Sequence, residues 1–110
     1  MSVLYALRYA GKTGIGVAAI CIGGGTIVGF DGADGRYRGT YRVVNGRLQG
    51  EMTLTMAGVW PMVTGERSAA GQKLDITLDL PAEFGDGSPQ QVSVGGHPVT
   101  ITAQKVGEVP

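Results

Sequence analysis

Gly23-Gly24-Gly25-Thr26-Ile27-Val28-Gly29-Phe30-Asp31-Gly32-Ala33-Asp34-Gly35-Arg36-Tyr37-Arg38-Gly39-Thr40-Tyr41 is the stretch whose reading decides the fold. It holds a triple-glycine turn, a second turn at Asp31–Gly35, and an aromatic strand ending in Tyr37-x-Gly39-Thr40-Tyr41. Glycine reaches positive φ without a Cβ clash, so both glycine clusters mark places where an extended chain reverses. Two reversals so close together, with β-branched and aromatic residues between them, describe a tight antiparallel meander.

Working outward, the same rhythm continues. Val3–Ala10 sets Val3, Tyr5, Leu7 and Tyr9 against Leu4, Ala6, Arg8 and Ala10, and Gly11-Lys12-Thr13-Gly14 turns the chain into Ile15–Ile22. That second strand is apolar on both faces, with Ile15, Val17, Ala19 and Cys21 on one and Ala18, Ile20 and Ile22 on the other. A barrel strand has one face toward the core, so the second apolar face calls for a cover such as Trp60 or another subunit. Ala18, Ile20 and Ile22 are the candidate dimer face. Asn45-Gly46 is a strong two-residue hairpin signal, because a type I′ turn needs φ > 0 at both central positions. It joins Arg36–Val44 to Arg47–Ala57, the latter with Leu48, Met52, Leu54 and Met56 inward. Gly58–Gly71 is the least regular part and has room for a short strand near 60–64 or one helical turn. Lys73–Leu80 alternates cleanly until Pro81, which lacks an N–H to continue the ladder. After a Pro81–Pro89 loop, Gln91–Val94 and Val99–Lys105 form a closing hairpin.

No segment sustains a helical period, so the expected class is all-β: an up-and-down, eight-stranded antiparallel barrel in one domain, 1–110. Closure would remove exposed strand edges. An eight-stranded interior is either filled by side chains or holds one small ligand. Tyr37, Tyr41, Met52 and Leu54 are the candidate lining of such a cavity.

Composition narrows the function. With 43% hydrophobic and 16% charged residues the chain has ample surface to bury and little charge to resist collapse. A formal net charge of +0 provides no field to draw in nucleic acid or anionic lipid. The apolar run Ile15–Ile22 is far shorter than the about 20 residues of a membrane-spanning helix, and its downstream glycines make a weak signal-cleavage site. With one cysteine there is no internal disulfide to require an oxidising compartment. Cytoplasmic location is therefore expected.

The motifs that suggest chemistry each have a plainer explanation. Gly11-Lys12-Thr13 ends like a phosphate loop, but no helix follows to aim its N-terminus at a phosphate. Gly23-Gly24-Gly25 fails as a dinucleotide fingerprint for the same reason. Asp31-Gly32-Ala33-Asp34-Gly35 lacks the alternating oxygen ligands and distal Glu of a calcium loop, and reads as an Asp/Gly turn. One His and one Cys leave little for zinc, no Gly-x-Ser-x-Gly elbow presents a nucleophile, and His97 sits in a turn between Gly96 and Pro98. Neither an enzyme, a cofactor nor a metal is expected. Arg36, Arg38, Arg42 and Arg47 read as an outward face paired with Glu51, without the aromatics that nucleic-acid stacking needs.

Leu4-Tyr5, the glycine-rich Gly14–Gly25, Gly29-Phe30-Asp31 and Tyr37-x-Gly39-Thr40-Tyr41 together resemble the GrlR-like family, negative regulators of type III secretion in bacteria. The likeness spans roughly Leu4 to Met56, the second half matching only as strand rhythm. It implies a lipocalin-like barrel, cytoplasmic and homodimeric, that acts by binding a regulatory protein and not by catalysis. Where that family carries an acidic run, this chain reads Val44-Asn45-Gly46-Arg47, so no partner-contact residue is transferred. The alternative function is a carrier of a small apolar ligand in the barrel cavity.

Overall fold

The computed structural model describes residues 2–59 and 61–110. It is a closed antiparallel barrel of eight strands in up-and-down order. They are β1 (Ser2–Gly11), β2 (Gly14–Gly23), β3 (Thr26–Asp31), β4 (Arg36–Val44), β5 (Arg47–Thr55), β6 (Lys73–Pro81), β7 (Gln90–Val94) and β8 (His97–Val109). Among the described residues no helix is long and apolar enough to cross a membrane.

The expected alternation sets the barrel wall. On β5, Leu48, Met52 and Leu54 are buried while Glu51 is exposed, and on β6, Ile76, Leu78 and Leu80 are buried between exposed Asp75, Thr77 and Asp79. A one-residue slip would turn these whole sets to water, so the hydrophobic pattern fixes the register. Val92, Val99, Ile101 and Ala103 complete the core from β7 and β8. The Asn45-Gly46 turn has φ of 53° and 75°, as the type I′ reading requires. At Gly39, which faces inward on β4, an added Cβ would overlap the Glu51 carbonyl, so glycine permits the close approach of β4 to the β5 backbone.

Two elements differ from expectation. β8 runs to Val109, beyond Lys105, because β1 offers it a partner: Ser2 faces Val109 and Leu4 faces Gly107, with a bulge after Leu4. Among the described residues of 58–71 no strand joins the barrel, and Pro61 and Arg67 form an isolated bridge. Trp60, considered above as a cover for β2, lies outside the described residues.

Even connections place turns 11–14, 31–35 and 95–96 and the long 56–72 loop at one end, the mouth. The 24–25 and 45–46 turns and the 82–89 loop lie at the other, the floor. The floor loop folds inward. Phe84 is buried, its ring 4.8 Å from that of Tyr5, and the Ala82 N–H donates to the Gly46 carbonyl at 2.9 Å.

Candidate functional site

Between mouth and floor lies an interior cavity of about 320 Å³. Its walls are the inward rows of the strands, among them Ile20, Met52, Leu54, Ile76, Leu78, Val92 and Ile101, and its floor is Phe84. The volume falls at the small end of ligand pockets, roughly 300–1,000 Å³. Its only charged lining residue among those described is Asp31.

Asp31 ends β3 on the inward side, following Ile27 and Gly29, and is 6% exposed. A buried carboxylate survives only if hydrogen-bonded, and the turn after it supplies the donors. Oδ1 accepts from the Ala33 N–H at 3.0 Å and the Gly35 N–H at 2.8 Å. Oδ2 accepts from the Tyr37 hydroxyl at 2.9 Å. Burial pushes the Tyr37 phenol far above its ordinary range, and the Asp31 charge and Tyr9 add to the shift. Tyr9 is raised by burial and then by Asp31, partly offset by its side-chain hydrogen bond with Tyr37. Each phenol carries one proton. Tyr37 gives its proton to Asp31, so its own oxygen is left to accept. Gly16, directly opposite Tyr9 on β2, makes room for this ring: a Cβ there would overlap it.

The 56–72 loop completes the mouth. Met56 N–H donates to the Gln72 carbonyl and Gly71 N–H to the Met56 carbonyl, both at 2.8 Å, pinching the loop at its base. Its tip is held over the β1–β2 turn, where the Thr13 N–H donates to the Val63 carbonyl at 3.0 Å and the Thr13 hydroxyl to the Met62 carbonyl at 2.9 Å. This tethering carries Thr64 into the cavity wall. Thr64 is 7% exposed, and its Oγ1 has no hydrogen-bond partner among the described residues.

Of the four residues expected to line a cavity, Tyr37, Met52 and Leu54 do. Tyr41 shares their inward face and packs against the core, but it borders a shallow outer groove with Arg42, Glu51 and Asp79 and not the cavity. The proposed dimer face is corrected by β2's orientation. Ala18, Ile20 and Ile22 point inward and line the cavity, with Ile20 and Ile22 buried. The sequence shows two apolar faces on β2, and nothing in the strand itself says which one the barrel consumes. The outward face is Ile15 (82% exposed), Val17, Ala19 and Cys21. It continues onto β3 through the pairs Ala19–Phe30 and Cys21–Val28, with Phe30 58% exposed.

The arginines face outward as expected but choose other partners. Arg36 pairs with Asp34 at 2.8 Å and Arg47 with Asp79 at 2.7 Å, in place of Glu51. His97 stands half-exposed with Nε2 2.6 Å from Glu66 Oε1. The sequence reads Asp31 only as part of its turn and names neither Tyr9 nor Thr64 as a site residue; the alternation that sets Tyr9 on one face with Tyr5 and Leu7 is a signal for Tyr9, and Thr64, on an irregular loop, has none.

Compared with known proteins, the chain matches no family model, no curated protein and no solved structure.

Proposed function

We propose that this protein acts by binding and that its barrel holds one small, predominantly apolar molecule. The observation that carries this reading is the 320 Å³ cavity inside an otherwise well-buried core. Unfilled apolar volume costs stability, so a lining that leaves it open favours an occupant able to restore the lost contacts. Titration calorimetry with naphthalene-sized apolar probes should show saturable binding at one site per chain. Val92→Phe, which places a ring in the cavity, should abolish it while leaving the β-sheet circular dichroism unchanged. Equal binding by wild type and Val92→Phe would place the probes elsewhere and defeat this reading.

A second reading draws on the outer surface. Ile15, Val17, Val28 and Phe30 form an exposed apolar patch on β2–β3, flanked by Arg36 and Arg38 on β4. Such patches mark contact surfaces. This reading makes the protein a cytoplasmic homodimer, or a subunit that engages a regulatory protein as GrlR-like regulators of type III secretion do. Light scattering at micromolar concentration should then give twice the monomer mass, and Phe30→Glu should halve it. A monomer under those conditions counts against the homodimer.

A further inference from the structure

The outer apolar face on β2 and β3 has a charge pattern of its own. Strand register carries it across four strands: Leu4, Cys21, Val28 and Arg38 form one row, and Ala6, Ala19, Phe30 and Arg36 the next. Arg8 stands beside Val17 in a third row. Arginine therefore bounds the apolar centre on both sides, from β1 and from β4. The rows run out through Thr53 and Thr55 on β5 and through Thr102, Gln104 and Gly107 on β8, so from β8 to β5 no carboxylate stands in them. Asp34, on the adjoining turn, holds Arg36 at 2.8 Å, while among the described residues Arg8 and Arg38 are in no ion pair. The chain is neutral as a whole, but this face is cationic.

That pattern decides between occupants. A second copy seated on the face would set arginine against arginine, with one carboxylate, already engaged, to relieve them, and like charges across an interface are unfavourable. An anionic surface meets the same residues favourably. The apolar side chains enter it, and the arginine stems lie along them with their guanidinium groups held at the charged layer. Between an anionic bilayer and an acidic protein the mouth favours the bilayer, a choice that rests on the cavity reading above. Ile15 and Val17, 82% and 58% exposed, border the cavity as well as this face, so apolar surface runs from the mouth onto the patch. A protein seated there would cover the mouth, whereas lipid would face it with an apolar phase.

We propose that this face seats on an anionic lipid surface, with Val17, Val28 and Phe30 entering it and Arg8, Arg36 and Arg38 at the headgroups.

The test is sedimentation of the intact protein with vesicles of phosphatidylcholine alone and of phosphatidylcholine with about 30% phosphatidylglycerol. At about 0.1 M salt the charged vesicles should hold the protein at least about tenfold more tightly, and about 1 M salt should remove the difference. Phe30→Glu, and separately the pair Arg8→Gln with Arg38→Gln, should each weaken binding to the charged vesicles at least about tenfold, with β-sheet circular dichroism unchanged. Arg42→Gln removes a charge outside the patch and should leave binding within about twofold of wild type. Equal binding to both vesicles, or unchanged binding by Phe30→Glu, overturns the proposal. Binding to neither vesicle overturns it too: a dimer that Phe30→Glu splits then assigns the face to a second copy, and a monomer that binds polyglutamate assigns it to an acidic protein. Val92→Phe should dock as wild type does. Docking without naphthalene binding defeats the cavity reading alone, and naphthalene binding without docking defeats the lipid proposal alone.

Discussion

The two ends of the barrel are closed by opposite chemistry. At the floor, the 82–89 loop turns an apolar ring inward: Phe84 stacks on Tyr5 and seals the core as an extra layer of it. At the mouth, the 31–35 turn and the 56–72 loop bring in Asp31, Tyr37, Tyr9 and Thr64. The floor is a hydrophobic plug whose value is packing alone. The mouth is a polar collar, internally bonded at Asp31 and carrying a buried hydroxyl at Thr64 that has no hydrogen-bond partner among the described residues. The two ends therefore differ in what a substitution there should cost.

The sharpest way to break this contrast is to remove the plug. Phe84→Ala should cost about 3–5 kcal/mol in chemical denaturation, as for other buried aromatic truncations, and should open the cavity to water. At the mouth, Asp31→Ala should cost about 2–3 kcal/mol, because Ala33 N–H, Gly35 N–H and the Tyr37 hydroxyl all lose their acceptor. An Asp31→Ala loss equal to that of a surface aspartate would show the collar to be solvated and not structural.

Smaller still is the alkaline response. Tyr37 has a folded value above the ordinary 10.0 of a tyrosine. Its neutral form is favoured by the fold, so its contribution is complete below pH 10 and is lost as pH rises toward the folded value. Denaturation midpoints should therefore fall above that pH, and Tyr37→Phe should flatten the fall while costing about 1 kcal/mol at neutral pH. The smallest effect has the opposite sign. Thr64→Val removes an unpaired buried hydroxyl and should raise stability by about 1 kcal/mol in the absence of ligand. A loss of stability at Thr64→Val would show that the hydroxyl already has a use in the empty barrel.

Most of the barrel was legible because its strands alternate. Lys73–Leu80 and Arg47–Ala57 announce which side chains turn inward, and Asn45-Gly46 announces the turn between its strands. β2 was not legible in the same way. Both of its faces are apolar, and only the pairing of Ala18 with Asp31 and of Tyr5 with Ile20 shows which one the interior takes. The site was read by halves. Tyr37, Met52 and Leu54 follow from alternation, whereas Tyr41 obeys the same rule yet sits below the open volume. Asp31 was absorbed into its turn because Asp-Gly sequences are ordinary turn formers, and its second role depends on the Tyr37 hydroxyl reaching back to it. Thr64 belongs to a loop without period, and its position is set by long-range bonds from Thr13 that no local pattern encodes.

The most direct test of an interior site is a two-dimensional NMR titration of the intact protein with 1-naphthol. Shifts concentrated at Met52, Leu54, Val92 and Phe84, with Val28 and Phe30 unmoved, are the predicted result. Shifts confined to that outer β2–β3 patch, or no shifts at millimolar probe, would contradict it.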